Sequence, residues 1–438
     1  MCSRICLFSA CILLSSGDAF AERMRIVVGG ANFRAYPVAV SDVELASKAN
    51  DSIKKISKEF LRLVRRNVDF PRSLELVPPG SYLSDSRDSA RKPYFKNWLN
   101  VGASGLITSS IGGSPNQIKL TMRFFDVVRG KTLLTKQFEK PAELLHRSIY
   151  EFLDAVVGVL TGEQGIYSSR IAYVKRMPRG KSIFVATLDG KEIERVTAPN
   201  VLSLLPAWSA DGKHLFFTSY LKNNPDLFQL EMADRKLDWI SNKRGLNIGA
   251  AVSPDNSKIA LTLSIDGNTE IYLMNRDGKK LRRLTDSWGQ DVSPSWSPDG
   301  SQIAFVSSRS GNPHIYVMVA DGTQQRRLTF QGKYNQEPDW SPKNDGQITF
   351  TARDERLAYD IFLVHPKTGV ITRLTQDQAN NESPQFSPDG QQIVFTSTRG
   401  PKHGKKLYVM DVDGSNQRHI VLDGIHIETP AWGPREIN

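Results

Sequence analysis

The side chains best suited to chemistry in this 438-residue chain are seven histidines, three cysteines and an aspartate that recurs at regular intervals. Cys2, Cys6 and Cys11 all fall within the first eleven residues, so the remainder offers no thiol nucleophile, disulfide framework or cysteine metal site. The histidines are scattered, and neither an H-E-x-x-H pair nor a G-x-S-x-G nucleophile elbow occurs. His426 stands alone before a repeated motif and reads as a solvated contact residue. Gly29-Gly30 follows an apolar run but lacks the further glycines of a dinucleotide-binding turn. Asp211, Asp255, Asp299 and Asp389 each sit in a turn tetrad, where the side chain caps its own backbone rather than binding calcium. No catalytic residue and no metal ligand is assigned, and no cofactor is called for.

Those aspartates belong to a repeat. Pro294-Ser295-Trp296-Ser297-Pro298-Asp299-Gly300 has relatives beginning at Pro206, Ala250, Pro338, Pro384 and Pro430. The third positions (Trp208, Val252, Trp296, Trp340, Phe386 and Trp432) are spaced 44, 44, 44, 46 and 46 residues apart. A second landmark, the aromatics Phe184, Phe228, Tyr272, Tyr316, Phe362 and Tyr408, keeps the same steps. Each unit predicts four short strands: one opening at the proline, one over I-A-F-V, one over I-Y-V-M and one over R-R-L-T. Four antiparallel strands per unit of this length is the signature of a propeller blade, with the repeated aromatics as inter-blade core. Arg170 to Val174 matches a second strand without a first, and Pro430-Ala431-Trp432 is a first strand without a second. Joining them closes a ring of six blades and removes the open sheet edges.

Ahead of the ring the pattern changes. Arg4, the apolar run Ile5 to Leu14 and the small-x-small site Ala19-Phe20-Ala21 form a secretory leader, expected to be cleaved after Ala21. The apolar run is far short of the roughly 20 residues that span a bilayer. The domains expected are a signal peptide over 1–21, an N-terminal α/β domain over 22–165 and an all-β six-bladed propeller over 166–438. In the α/β domain, strands are predicted over Met24 to Val28 and Val101 to Ser109. A helix is predicted over Asp51 to Arg66, a hairpin over Ile118 to Phe138, and a closing helix over Ala142 to Leu160. Thr161 to Ser169 reads as a linker.

The formal net charge of +11 concentrates in the smaller domain: residues 22–169 carry a net +7 and residues 170–438 only +4. Residues 48–96 hold 12 basic and 6 acidic side chains, including the outer side of the Asp51 to Arg66 helix and the Arg87 to Lys96 segment, which predicts one local basic face. An exported protein meets no cytoplasmic nucleic acid, so this charge is not assigned to DNA or RNA.

The exported α/β domain, the Leu160-Thr161-Gly162 to Arg170-Ile171-Ala172-Tyr173-Val174 junction and the six-fold P-x-W-S-P-D-G ring together resemble the TolB family of the Tol–Pal system. The resemblance implies a periplasmic, non-catalytic, monomeric adaptor that supports outer-membrane integrity and envelope constriction at cell division. It implies Pal, the peptidoglycan-associated lipoprotein, docked on the loops before P-x-W. By position these loops contribute Asn247, Gly249, Asp291, Val292, Glu337, Glu382 and Glu428, a neutral to acidic set. It implies TolA, recruited by strand addition through the mature N-terminus, where Glu22, Met24, Ile26 and Val28 stand in an alternating segment. The competing readings are a periplasmic propeller hydrolase, which lacks a catalytic constellation here, and a direct cell-wall glycan or lipid binder using the basic face; other envelope proteins are further candidate partners.

Overall fold

The structure, a computed structural model, describes residues 35–435 except 48, 71, 84–89, 344–345, 354–356, 377–378, 400–403, 423 and 425. The leader, its cleavage site and the predicted Met24–Val28 strand lie outside the described residues. The first domain is a mixed sheet built from strands β1 (Tyr36–Leu45), β2 (Leu74–Leu76), β3 (Gly105–Ser114), β4 (Gln117–Asp126) and β5 (Lys131–Lys140), in the order β2-β1-β3-β4-β5. β1 runs parallel to both neighbours, while β3, β4 and β5 form an antiparallel meander.

Helices α1 (Asp51–Val68) and α3 (Leu145–Thr161) cover one face of this sheet. Asn50 starts α1 by accepting the Ile53 N–H at 3.0 Å, and Gly162 ends α3 in the left-handed conformation at φ 79°. The short helix α2 (Phe95–Asn100) packs Trp98 on the opposite face against Leu106, Phe125 and Val127. Strand β1 escapes the periodicity reading because its centre, Val38-Ala39-Val40, is buried on both faces and shows no alternation. The predicted Val101 to Ser109 strand is displaced: the chain is still leaving α2 at Val101, turns at Gly102 and becomes extended at Gly105.

Six four-stranded antiparallel sheets follow. Their innermost strands are Ser203–Trp208, Asn247–Val252, Asp291–Trp296, Asn335–Trp340, Asn381–Phe386 and Ile427–Arg435, here blades 1 to 6 in that order. Blade 6 takes its innermost strand from the C-terminal segment and the rest, beginning at Ser169–Arg176, from the segment after α3. The repeated aromatics wedge between blades: the Trp208 indole N–H donates to the Ala431 carbonyl at 3.1 Å, and that of Trp296 to Ala251 at 3.0 Å. At the far end of the innermost strand an aspartate caps the turn in blades 1, 2, 3 and 5, while blades 4 and 6 have Lys343 and Arg435 at that position. The Asp299 carboxylate accepts from Ser297 and Ser301 hydroxyls and the Ser301 N–H, and Asp211, Asp255 and Asp389 repeat the pattern.

The Thr161 to Ser169 segment is exposed over residues 162–164 and anchored beyond them. Ile166 and Tyr167 are buried, one in each domain's core, and the Asp154 carboxylate accepts from the Tyr167 and Ser168 N–H groups. Around this seam Arg418 lies over the Phe70 ring at 4.5 Å, Arg72 pairs with Asp413 at 2.7 Å, and Arg147 grips Glu192 through both nitrogens at 2.7 and 2.9 Å. Every propeller residue in these contacts belongs to an outer strand or turn at the aspartate-turn end. The basic face is accordingly divided. The sheet separates α1 from α2, and four of the six α1 cations are engaged: Lys54 with Asp51, Arg62 with Glu59, Arg65 with Asp42 and Arg66 with the Asp189 carbonyl.

Candidate functional site

At the opposite end of the ring, where the innermost strands begin, no contact with the first domain occurs among the described residues. Each innermost strand starts three residues before the repeated proline (Ala250 in blade 2), earlier than the sequence pattern predicts, and that residue sits within it at a β-bulge. In blade 3, Ser293 and Pro294 together oppose Phe305, and the same two-against-one register recurs in the other five blades. A bulged position needs no ladder donor, which is why proline is tolerated inside a central strand. The residue before it is left-handed in every blade: Leu205 φ 52°, Gly249 61°, Ser293 56°, Glu337 55°, Ser383 56° and Thr429 40°. Five of these are not glycine, so the mouth holds backbone conformations that cost on the order of 1–3 kcal/mol each.

The bulge sorts side chains. The first residue of each strand (Ser203, Asn247, Asp291, Asn335, Asn381 and Ile427) is buried in the blade, while the second and third line the mouth. Asn247 and Asp291 are therefore removed from the expected docking set. Asn247 accepts from Ser241 and the Lys243 N–H and donates to the Lys243 carbonyl, and Asp291 is held by Arg309 at 2.6 Å. Gly249, Val292, Glu337, Glu382 and Glu428 do reach the mouth, in the company of Leu204, Leu205, Ile248, Gln336 and Ser383. Alternation was the missing signal: two positions in three face the channel only because of the bulge.

The lining falls into two arcs. Blades 1 to 3 contribute Leu204, Leu205, Ile248, Gly249, Val292 and Ser293, more apolar than the sequence suggested. Blades 4 to 6 contribute Glu337, Glu382 and Glu428 with their amide and hydroxyl neighbours. A cavity of about 140 Å³ lies between the arcs. Each acid is held. Glu337 accepts the Ser383 N–H at 2.8 Å and the Thr351 hydroxyl at 2.9 Å; Glu382 pairs with Lys405, and Glu428 with Lys181 at 2.5 Å. Burial pushes the Glu337 carboxyl above the usual range, against those hydrogen bonds, and the Glu382 charge adds to the rise. On the rim, Trp288 is 77% exposed and Phe330 69%, both in loops that join neighbouring blades. Among the described residues, no three His, Cys, Asp or Glu stand together in a metal-holding arrangement, and no helix is long and apolar enough to cross a membrane. The arrangement offers shape, apolar area and oriented carboxylates, which is equipment for binding.

Residues 157–436 match the family described as TolB beta propeller domain, and residues 24–133 the TolB amino-terminal domain. The Tol-Pal system protein TolB of Anaeromyxobacter dehalogenans strain 2CP-C is 35% identical over 439 residues, covering 99% of each chain. That of Desulfosudis oleivorans is 34% identical over 240 residues, a match spanning 54% of each chain. The crystal structure of TolB from Acinetobacter baumannii superposes with a TM-score of 0.78 at 25% identity, over 92% of this chain and 97% of that one.

Proposed function

We propose, since the chain belongs to the TolB family, that it is a non-catalytic periplasmic adaptor of the Tol–Pal system, exported by a leader cleaved after Ala21. In this reading Pal docks at the propeller mouth, and TolA takes the segment beginning Glu22, with Met24, Ile26 and Val28 adding to its sheet. The observation that carries the first half is the asymmetry of the ring. Its aspartate-turn end is occupied by the first domain and by internal caps, whereas the mouth presents an apolar arc facing an acidic one. The second half is supported by the alternation of residues 24–28, which lie outside the described residues.

Calorimetry with the soluble domain of Pal tests the mouth. Val292→Asp combined with Glu382→Lys spoils both arcs without touching a repeated turn, and affinity is expected to fall at least about ten-fold, or ~1.4 kcal/mol. Unchanged affinity in a folded variant rejects the docking assignment. Removing residues 22–33 is expected to abolish capture by TolA and to spare Pal; loss of both would refute the separation of the two sites.

A further inference from the structure

Beyond the mouth cavity the channel continues into a funnel of about 490 Å³ at the aspartate-turn end. Pro206, Ala250, Pro294 and Pro338 line both spaces and stand between them. The funnel's outer wall is made by the turn residues Ala210, Pro254, Pro298, Pro342, Pro388 and Pro434. The inter-blade aromatics reach it from behind, and Trp208, only half-buried, opens part of its indole to the space. The first domain supplies none of the lining residues. A concave, largely apolar space of this size is suited to a small ligand if a few polar groups converge in it.

The polar groups come from the middle of the innermost-strand motif, one per blade: Ala207, Ala251, Ser295, Asp339, Gln385 and Ala431. Among the described residues of the wall, Asp339 is the one charged side chain. The blade does not need that charge. Ser295 Oγ accepts the Trp340 N–H at 2.9 Å, and Asp339 Oδ2 accepts the Phe386 N–H at 2.7 Å, the same bond one blade further on. A neutral hydroxyl is sufficient for it, and three blades have alanine there. The carboxylate therefore adds a charge and a second oxygen that the fold leaves unused: no donor among the described residues reaches Oδ1. Burial without a compensating cation pushes this carboxyl up to about 7. A cation seated beside it, against indole and proline rings, would supply the missing compensation.

We propose that the funnel binds a small organic amine as its ammonium ion, with Asp339 as the counter-charge. The ammonium donates to Oδ1 and leaves the Oδ2 bond to Phe386 in place. The apolar body of the ligand lies against Trp208 and the turn prolines. The site is at the other end of the channel from the mouth, so it requires no protein docked there.

The test uses the full mature chain and 2-phenylethylamine as the probe, observed by saturation-transfer NMR and tryptophan fluorescence. Its isosteres 2-phenylethanol and 3-phenylpropionate serve as the neutral and anionic comparisons. The amine is expected to bind at least about ten-fold more tightly than either. Equal affinities, preference for the carboxylate, or no amine binding at roughly 10 mM overturns the proposal. Asp339→Asn keeps an acceptor for the Phe386 N–H, and Asp339→Ser copies blade 3. Each is expected to weaken amine binding at least about ten-fold and to leave the alcohol unaffected. Undiminished amine affinity in either folded variant overturns the assignment of Asp339. Ala207 stands three blades away, across the ring, and Ala207→Phe fills the funnel without touching the carboxylate. It is expected to abolish amine binding; unchanged binding places the amine elsewhere and overturns the site. Tighter binding of N-acetyl-lysine amide than of 2-phenylethylamine overturns the small-amine reading in favour of a protein side chain.

Discussion

The two ends of the propeller are made from one repeat and are used in opposite ways. At the aspartate-turn end the repeated side chains are consumed internally. Each aspartate caps its turn, the aromatics between blades are buried, and the first domain covers blades 5 and 6. At the mouth the repeat supplies only the bulge, and the residues it presents differ from blade to blade. Regularity marks what the ring needs for itself, and divergence marks what is left for a partner.

This contrast can be broken at either end. The largest effect is expected from Trp296→Ala, which empties a buried inter-blade position and costs about 3–5 kcal/mol of stability by denaturant titration. Pal affinity of the folded fraction should not move. Asp299→Ala removes the acceptor for three donors and should cost about 1–2 kcal/mol, again without altering binding. Ser293→Gly places the tolerant residue where φ is 56° and should add stability of about 1 kcal/mol. Blade 2 already carries glycine there. A loss of stability in this variant would mean that the mouth is not strained.

The smallest effect concerns pH. Asp339 occupies the middle of the blade 4 motif, where three of the other blades have alanine, and accepts the Phe386 N–H at 2.7 Å. Burial pushes its carboxyl up to about 7, against that hydrogen bond. A folded value above the unfolded one means that the native state binds the extra proton. The stability it contributes is full below the ordinary carboxylate value of about 3.9 and is lost as pH rises through about 7. Asp339→Asn should therefore flatten the decline in denaturation midpoint between pH 5 and pH 8. An identical decline in both proteins would place the titration elsewhere.

Much of this was legible in the residues. Two landmarks in one register, Trp208 to Trp432 and Phe184 to Tyr408, fix the blade count and the closure by both chain ends, because each blade repeats the same local turn and strand chemistry. The helices Asp51–Val68 and Leu145–Thr161 follow from their apolar spacing. The misses share a cause. Strand Tyr36–Leu45 shows no alternation because both its faces are covered, and Asn247 and Asp291 look like mouth residues because a bulge cannot be counted from spacing. The single basic face dissolves because a sheet stands between α1 and α2, and lysines and arginines near in sequence serve different partners.

The sequence by itself determined the ring, its six-fold count, its end-to-end closure and its family, all properties of local pattern repeated often enough to exclude chance. Only the tertiary structure decided which residues face the channel and that the lining divides into an apolar and an acidic arc. Those features depend on cross-strand register and on side chains brought together from different blades. A linear pattern holds neither, because a one-residue bulge exchanges buried for exposed without changing a single letter.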